Sequence, residues 1–308
     1  MRSSASACDG AGKAVKRGRK SPWTAFLLSL VLLLCAQAAP PVSDEAVYAF
    51  ETQELWTERE GKRIYGVLYV PQGAGDQMPA LLCSHGFGGS WRSCAQYAEA
   101  MAARGYVVYC FDFCGGSPGS RSDGTTLEMS VFTEQADLEA ILAMAQGLDF
   151  VDPDRIFLLG TSQGGAVSAI TAAEHADEIR GLILLYPAFV LVDNANERYS
   201  SPEEIPESTF FLWMEVGRAY FAPLIGYDIY EDIAGYEKEV LLLHGDADDI
   251  VPLSYSERAL EVYPEARLQV LPGAGHGFYG EDAQSPSTPS RTTATPGCKP
   301  QGKRGMEA

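Results

Sequence analysis

Residues 156–170 read Ile156-Phe157-Leu158-Leu159-Gly160-Thr161-Ser162-Gln163-Gly164-Gly165-Ala166-Val167-Ser168-Ala169-Ile170. Four apolar residues run straight into a glycine, and a run of small residues suited to close helix packing follows, so the stretch is strand, tight turn, helix. In a G-x-S-x-G turn between such elements the glycines are a steric requirement, because a side chain there would collide with the strand and helix packed around it. The serine hydroxyl is lifted clear of the sheet. A bare G-x-S-x-G arises by chance in roughly one chain in ten of this length at ordinary Gly and Ser usage. The reading therefore depends on what else the chain supplies.

Two downstream segments and one upstream supply it. Val240-Leu241-Leu242-Leu243 is a short run of buried-strand type that empties into His244-Gly245-Asp246-Ala247-Asp248-Asp249-Ile250-Val251-Pro252. Leu268-Gln269-Val270-Leu271 then leads into Pro272-Gly273-Ala274-Gly275-His276-Gly277-Phe278. An acid and then a histidine thus follow the serine at successive strand ends, where open α/β sheets carry their sites. Upstream, Ala80-Leu81-Leu82-Cys83 precedes Ser84-His85-Gly86-Phe87-Gly88-Gly89, a second strand end with a glycine-rich loop.

Over about residues 50–280 the chain resembles the single-domain α/β-hydrolase esterases, most closely the bacterial feruloyl (cinnamoyl) esterase and serine aminopeptidase-like branch. The marks are the Ser84–Gly89 loop, Phe111-Asp112-Phe113-Cys114-Gly115-Gly116-Ser117, Ser122-Asp123-Gly124, the Ser162 turn, and the Asp248 and His276 loops. The resemblance implies Ser162 as nucleophile, His276 as general base and acid, and Asp248 as the orienting carboxylate, since the family pattern H-G-x-x-D-x-x-V-P falls on Asp248. It also implies an oxyanion hole made by the backbone N–H groups of Phe87 and Gln163. The residue types suit the chemistry. Serine needs a base within hydrogen-bond reach to become a nucleophile, histidine serves near neutral pH, and a carboxylate on its far nitrogen fixes the tautomer. Asp246 and Asp249 are expected to be turn acids, His244 a structural residue at a strand end, and His85 a packing residue beneath its loop.

Composition excludes other classes. Lys and Arg number 23 against 41 Asp and Glu. Six of the basic residues crowd into the first twenty positions, so the body of the chain is strongly anionic and repels polyphosphates and anionic membranes. No nucleic-acid partner is expected. No zinc spacing occurs, and no cofactor or metal is expected. The partner is a small-molecule ester. Cys83, Cys94, Cys110, Cys114 and Cys298 lack a disulfide framework and read as core thiols.

Basic Lys16–Lys20 leads into the apolar run Ala25–Leu34 and then Ala36-Gln37-Ala38, the pattern of a secretory signal cleaved before Ala39. A retained membrane anchor is the alternative, although the run falls short of the ~20 residues of a spanning helix. With the signal cleaved, no stable membrane insertion is expected and the protein is extracytoplasmic.

The organisation expected is a signal peptide over 1–38, a linker over 39–52, one α/β-hydrolase domain over 53–284 and a disordered tail over 285–308. A hairpin opens the sheet, and strands near 80–84, 106–111, 155–159, 181–185, 240–243 and 267–271 alternate with helices near 91–104, 133–147, 163–176 and 254–262. That alternation marks a mostly parallel, doubly wound sheet. It lapses over about 187–237, whose aromatic residues suggest a small helical cap over the crevice. The tail is rich in Pro, Ser and Thr, which cannot bury enough apolar surface to order itself, so the last helix of the related folds is missing. The function expected is a secreted serine hydrolase cleaving esters with apolar or aromatic acyl groups. An aminopeptidase-like amidase with the same three residues and an inactive hydrolase-fold relative are the alternatives.

Overall fold

Short uninterrupted runs of Val, Ile, Leu and Phe suit the inner strands of a covered sheet, where the ladder satisfies the backbone and both faces are buried. A computed structural model of the chain describes residues 47–278 and shows how these runs assemble. The strands are β1 (Phe50–Arg59), β2 (Lys62–Pro71), β3 (Met78–Ser84), β4 (Val107–Phe111), β5 (Val151–Thr161), β6 (Gly181–Leu185), β7 (Ser208–Phe211), β8 (Met214–Gly217), β9 (Val240–Gly245) and β10 (Ala266–Leu271). Eight of them form one sheet in the order β1-β2-β4-β3-β5-β6-β9-β10. Its β1–β2 and β2–β4 pairs are antiparallel and the rest parallel. This is the mostly parallel, doubly wound sheet of the α/β-hydrolase fold.

The period-2 alternation of strand side chains sorts the apolar runs into two cores. Leu82, Leu158, Leu182, Leu184 and Leu242 face one side. Leu81, Cys83, Leu159, Ile183, Leu185 and Leu243 face the other. The first core is covered by α2 (Val131–Gln146), α3 (Gln163–Glu174) and α7 (Ser254–Val262), the second by α1 (Ala95–Ala102). Helix α2 starts where it does because Ser130 accepts from the Thr133 N–H while the Thr133 hydroxyl accepts from the Ser130 N–H, a reciprocal cap. The four described thiols, Cys83, Cys94, Cys110 and Cys114, are free and buried.

The structure departs from the sequence reading in two places. The sheet begins at Phe50, inside the stretch 39–52 read as a linker, because β1 pairs with β2 along its whole length from Phe50↔Pro71 to Arg59↔Lys62. The hairpin turn is Glu60-Gly61, with φ of 51° and 80°, the left-handed pair that matches strand twist. The excursion between β6 and β9 is not purely helical. It contains α4 (Leu191–Arg198), the β7–β8 ribbon, α5 (Arg218–Phe221) and α6 (Ile229–Ile233). The signal segment expected over 1–38 and the tail over 285–308, with the missing last helix, lie outside the described residues. Among the described residues no helix is long and apolar enough to cross a membrane.

Candidate active site

Strand β5 turns into α3 at one residue. Ser162 adopts φ 51° and ψ −120°, a conformation L-residues rarely take. It is held there from outside: its N–H donates to the Leu185 carbonyl at the end of β6, and its own carbonyl accepts from the Gly165 and Ala188 N–H groups, all at 2.9 Å. Glycine is obligatory on either side. A Cβ at Gly160 would lie 2.2 Å from the Gly164 oxygen, and one at Gly164 would lie 2.5 Å from the Ser84 oxygen.

The loops after β9 and β10 meet over this turn. Gly245 lets them approach, since a Cβ there would stand 1.9 Å from the Ala274 oxygen. Asp246 Oδ1 accepts from the Gly273 N–H at 2.6 Å and stitches the two loops together. The result brings Ser162, Asp248 and His276 into one hydrogen-bonded line. The Ser162 hydroxyl donates to His276 Nε2 at 3.0 Å, and His276 Nδ1–H donates to Asp248 Oδ2 at 2.8 Å. Of the three neighbouring acids, Asp248 alone reaches His276; Asp246 is the loop stitch and Asp249 is exposed.

Asp248 is inaccessible and fully engaged. Its Oδ1 accepts from the Ile250 and Val251 N–H groups at 3.0 and 2.9 Å. His244 Nε2 lies 3.3 Å from Asp248 Oδ2 and 2.9 Å from the Val251 oxygen, so it carries a proton and donates toward both, while Nδ1 meets Ser256 Oγ at 2.7 Å. Burial alone would push the Asp248 carboxyl up, but the hydrogen bonds from His244 and His276 and the nearby His276 charge outweigh it and hold the group well below the ordinary carboxylate range. It is therefore held as an anion near neutral pH. His244, read as structural, thus also supports Asp248. The ring of Tyr186 stands edge-on to His276 at 4.7 Å and limits its swing.

The loop after β3 lies against the same turn, where a Cβ at Gly86 would come within 2.9 Å of the Ser162 Cβ. Within that loop the Gly88 N–H donates to Gly116 and the Gly89 N–H to Gly86, which leaves the Phe87 N–H outside the loop's own bonds. Gln163 is the first residue of α3, so its N–H has no acceptor within the helix. Both expected oxyanion-hole residues therefore flank Ser162. His85 is a buried strut: Nδ1–H donates to the Gly86 oxygen at 2.8 Å and Nε2 accepts from the Phe113 N–H at 3.2 Å. Burial pushes its pKa down and keeps it neutral. Asp112 braces the same region by accepting from the Trp91 and Arg121 N–H groups.

Sequence reasoning missed one group. The side chain of Gln163 is buried and bonded at both ends: Nε2 donates to Glu134 Oε2 at 2.8 Å, and Oε1 accepts from the Tyr220 hydroxyl at 2.7 Å. The signal was present, since Glu134 falls on the stripe Val131, Glu134, Leu138, Ile141, Ala145 that buries α2. Burial pushes the Glu134 carboxyl well above the ordinary range, the Gln163 amide opposes weakly, and the nearby Asp137 charge raises it further.

Residues 76–210 match the family model described as serine aminopeptidase, S33. An uncharacterized protein of Mycobacterium tuberculosis is 30% identical over 248 residues, 80% of this chain and 79% of that protein. A putative carbamate hydrolase, RutD, from Caulobacter is 26% identical over 246 residues, 68% of this chain and 88% of that one. Among solved structures, Est1E from Butyrivibrio proteoclasticus with ferulic acid bound superimposes with a TM-score of 0.67 at 26% identity, over 73% of this chain and 91% of that one.

The shifted Glu134 carboxyl has a signed consequence for stability. Below the ordinary carboxylate range it is neutral in both folded and unfolded chains; above that range only the unfolded chain ionises, so stability is lost as pH rises toward the folded pKa. Glu134→Gln removes this loss. Its stability relative to the wild type, read from urea midpoints between pH 4 and 8, should increase with pH by at most about 1.4 kcal/mol per unit. A constant gap would mean Glu134 is ionised in the fold.

Proposed function

The chain belongs to the α/β-hydrolase family, in its serine-esterase and aminopeptidase-like branch, and we propose that it is an exported serine hydrolase that cleaves carboxylic esters through an acyl-enzyme. The observation that carries this reading is the hydrogen-bonded line Ser162–His276–Asp248 at 3.0 and 2.8 Å. His276 takes the Ser162 proton as the hydroxyl attacks the ester carbonyl, then gives it to the departing alcohol. Water, deprotonated by the same ring, releases the acid in the second half. Asp248, kept anionic by its four donors, holds Nδ1 protonated so that Nε2 is free to act as base, and stabilises the imidazolium without taking its proton. The oxyanion of each tetrahedral intermediate is received by the Phe87 and Gln163 N–H groups.

Beside that hole Phe87 sits in an aromatic cluster whose partly exposed member, Trp213, is the ring open to an acyl group. The Phe87 ring contacts Phe211, Trp213 and Tyr220 edge-on at 5.6, 5.4 and 5.4 Å. Such walls favour flat apolar acids by about 1 kcal/mol per good ring pair. Likeness to Est1E, solved with ferulic acid, points the same way. The amidase reading draws on the serine aminopeptidase family model; matched ester and anilide substrates separate the two.

Ser162→Ala, His276→Ala and Asp248→Asn should each lower kcat by about three to six orders of magnitude with little change in KM, and a fluorophosphonate should label Ser162 alone. If Asp248→Asn kept its activity while Asp246→Asn lost it, the acid would be misassigned. In a panel of acetyl, butyryl, octanoyl and hydroxycinnamoyl esters, kcat/KM should be highest for the larger apolar or aromatic acids; acetyl esters preferred throughout would contradict the pocket reading. The exported protein should begin near Ala39 by N-terminal sequencing, whereas recovery of the intact chain in membranes would identify an anchor.

A further inference from the structure

We propose that Tyr220, carried by the cap, is a positioning residue for the oxyanion hole, acting through the buried chain Tyr220–Gln163–Glu134; the inference rests on the serine-hydrolase reading above. Three polar side chains meet in the core here. Tyr220, Gln163 and Glu134 are 3%, 2% and 1% exposed. Buried polar groups are costly unless matched, and an apolar trio of similar size would pack the same space more cheaply. The arrangement therefore calls for a role.

The geometry specifies one. In the structure the Tyr220 hydroxyl donates to Gln163 Oε1 while Nε2 donates to Glu134 Oε2, so the amide is engaged at both ends. Nε2 also passes 3.6 Å from the sulfur of Met129, which lies just before the cap of the helix bearing Glu134. The amide is thereby clamped from both sides. Gln163 is also the residue whose backbone N–H opens α3 beside the serine, so clamping its side chain limits how far that N–H can tilt. The second expected donor is tied to the same cap residue, because the Phe87 ring packs edge-on against the Tyr220 ring at 5.4 Å. One side chain thus touches both residues of the hole.

Tyr220 is itself well anchored. It lies in α5, directly after β8, and Gly217 at the end of β8 sits so close to the 125–129 loop that a Cβ would be 2.0 Å from the Leu127 oxygen. That loop leads into Ser130 and the helix that bears Glu134. Cap and helix therefore grip Gln163 from a common base.

The test compares Tyr220→Phe, Glu134→Leu, Glu134→Gln and the double variant Tyr220→Phe/Glu134→Leu. Turnover of a butyryl ester is measured together with inhibition by a trifluoromethyl ketone, which forms an oxyanion on Ser162, and by the matching alcohol, which does not. Tyr220→Phe keeps the ring against Phe87 and loses only the hydroxyl. It should lower kcat by roughly 10- to 100-fold, less than the 10²–10³ of deleting a donor outright, with KM within about twofold. Ketone affinity should fall by the same factor while alcohol affinity stays constant. Glu134→Leu should match it, the double variant should be no worse than either single one, and Glu134→Gln, which keeps an acceptor for the amide, should retain activity. A folded Tyr220→Phe with wild-type kcat and ketone affinity overturns the proposal, as does an equal loss for ketone and alcohol. If Tyr220→Phe does not fold, Gln163→Ala decides: it keeps the backbone donors and empties the clamp, and wild-type turnover would overturn the role. A wild type that neither turns over esters nor takes a fluorophosphonate would instead refute the serine-hydrolase reading.

Discussion

A strand that must become a helix within one residue has no relaxed backbone available, and Ser162 resolves the conflict at φ 51°, ψ −120°. Such a conformation costs on the order of 1–3 kcal/mol for a residue with a side chain. It persists because the surroundings over-determine it. The N–H is fixed to β6, the carbonyl to the segment that leaves β6, and the glycines at 160 and 164 let helix, strand and the Ser84 loop close to van der Waals contact. Once the serine is fixed in this way, the loops after β3, β9 and β10 have a common point to converge on. Their glycines at 86 and 245 answer the same demand for close approach.

Much of this was legible in the sequence because inner parallel strands leave a plain signature. Leu-rich runs buried on both faces mark β3, β5, β6 and β9, and the residues just past their ends are the ones that converge. Boundaries and the cap were less legible. Strand β1 is exposed over residues 51–54, alternates exposed and half-buried residues only from Leu55, and carries no apolar run to announce its start. In the cap, Phe210-Phe211-Leu212-Trp213-Met214 looks continuous with a helix, yet the chain reverses at Leu212, at φ 52°, with no glycine, asparagine or aspartate to signal it. The turn is imposed by tertiary packing of Phe211 and Met214 rather than by local preference. Glu134 was hidden differently. It sits on an apolar stripe where an acid is read as an exception, and only the fold shows that a glutamine waits opposite.

The buried acids show how environment assigns charge. Asp112 accepts two backbone N–H groups, Asp137 accepts Arg59 Nε and the Cys114 N–H, and Asp248 accepts two backbone N–H groups and faces two histidines. Glu134 meets one neutral amide and no cation. Donor number and charge separate their states: Asp248 is held anionic, whereas Glu134 is held neutral, although both are excluded from water. Asp137 lies between them: burial raises its carboxyl, although Arg59 and the Cys114 N–H oppose it.

The order of the strands in the chain has a consequence for the protein's own synthesis. His276 follows Ser162 by 114 residues and comes after β10, the last strand of the sheet. At ribosomal speeds that interval is on the order of ten seconds. Once β6 has followed, the serine turn can be assembled from β3, β5 and β6, yet its oxygen still has no partner to draw off a proton. Chemical competence arrives only when β10 docks beside β9, so the emerging polypeptide passes its most exposed stage without a live nucleophile.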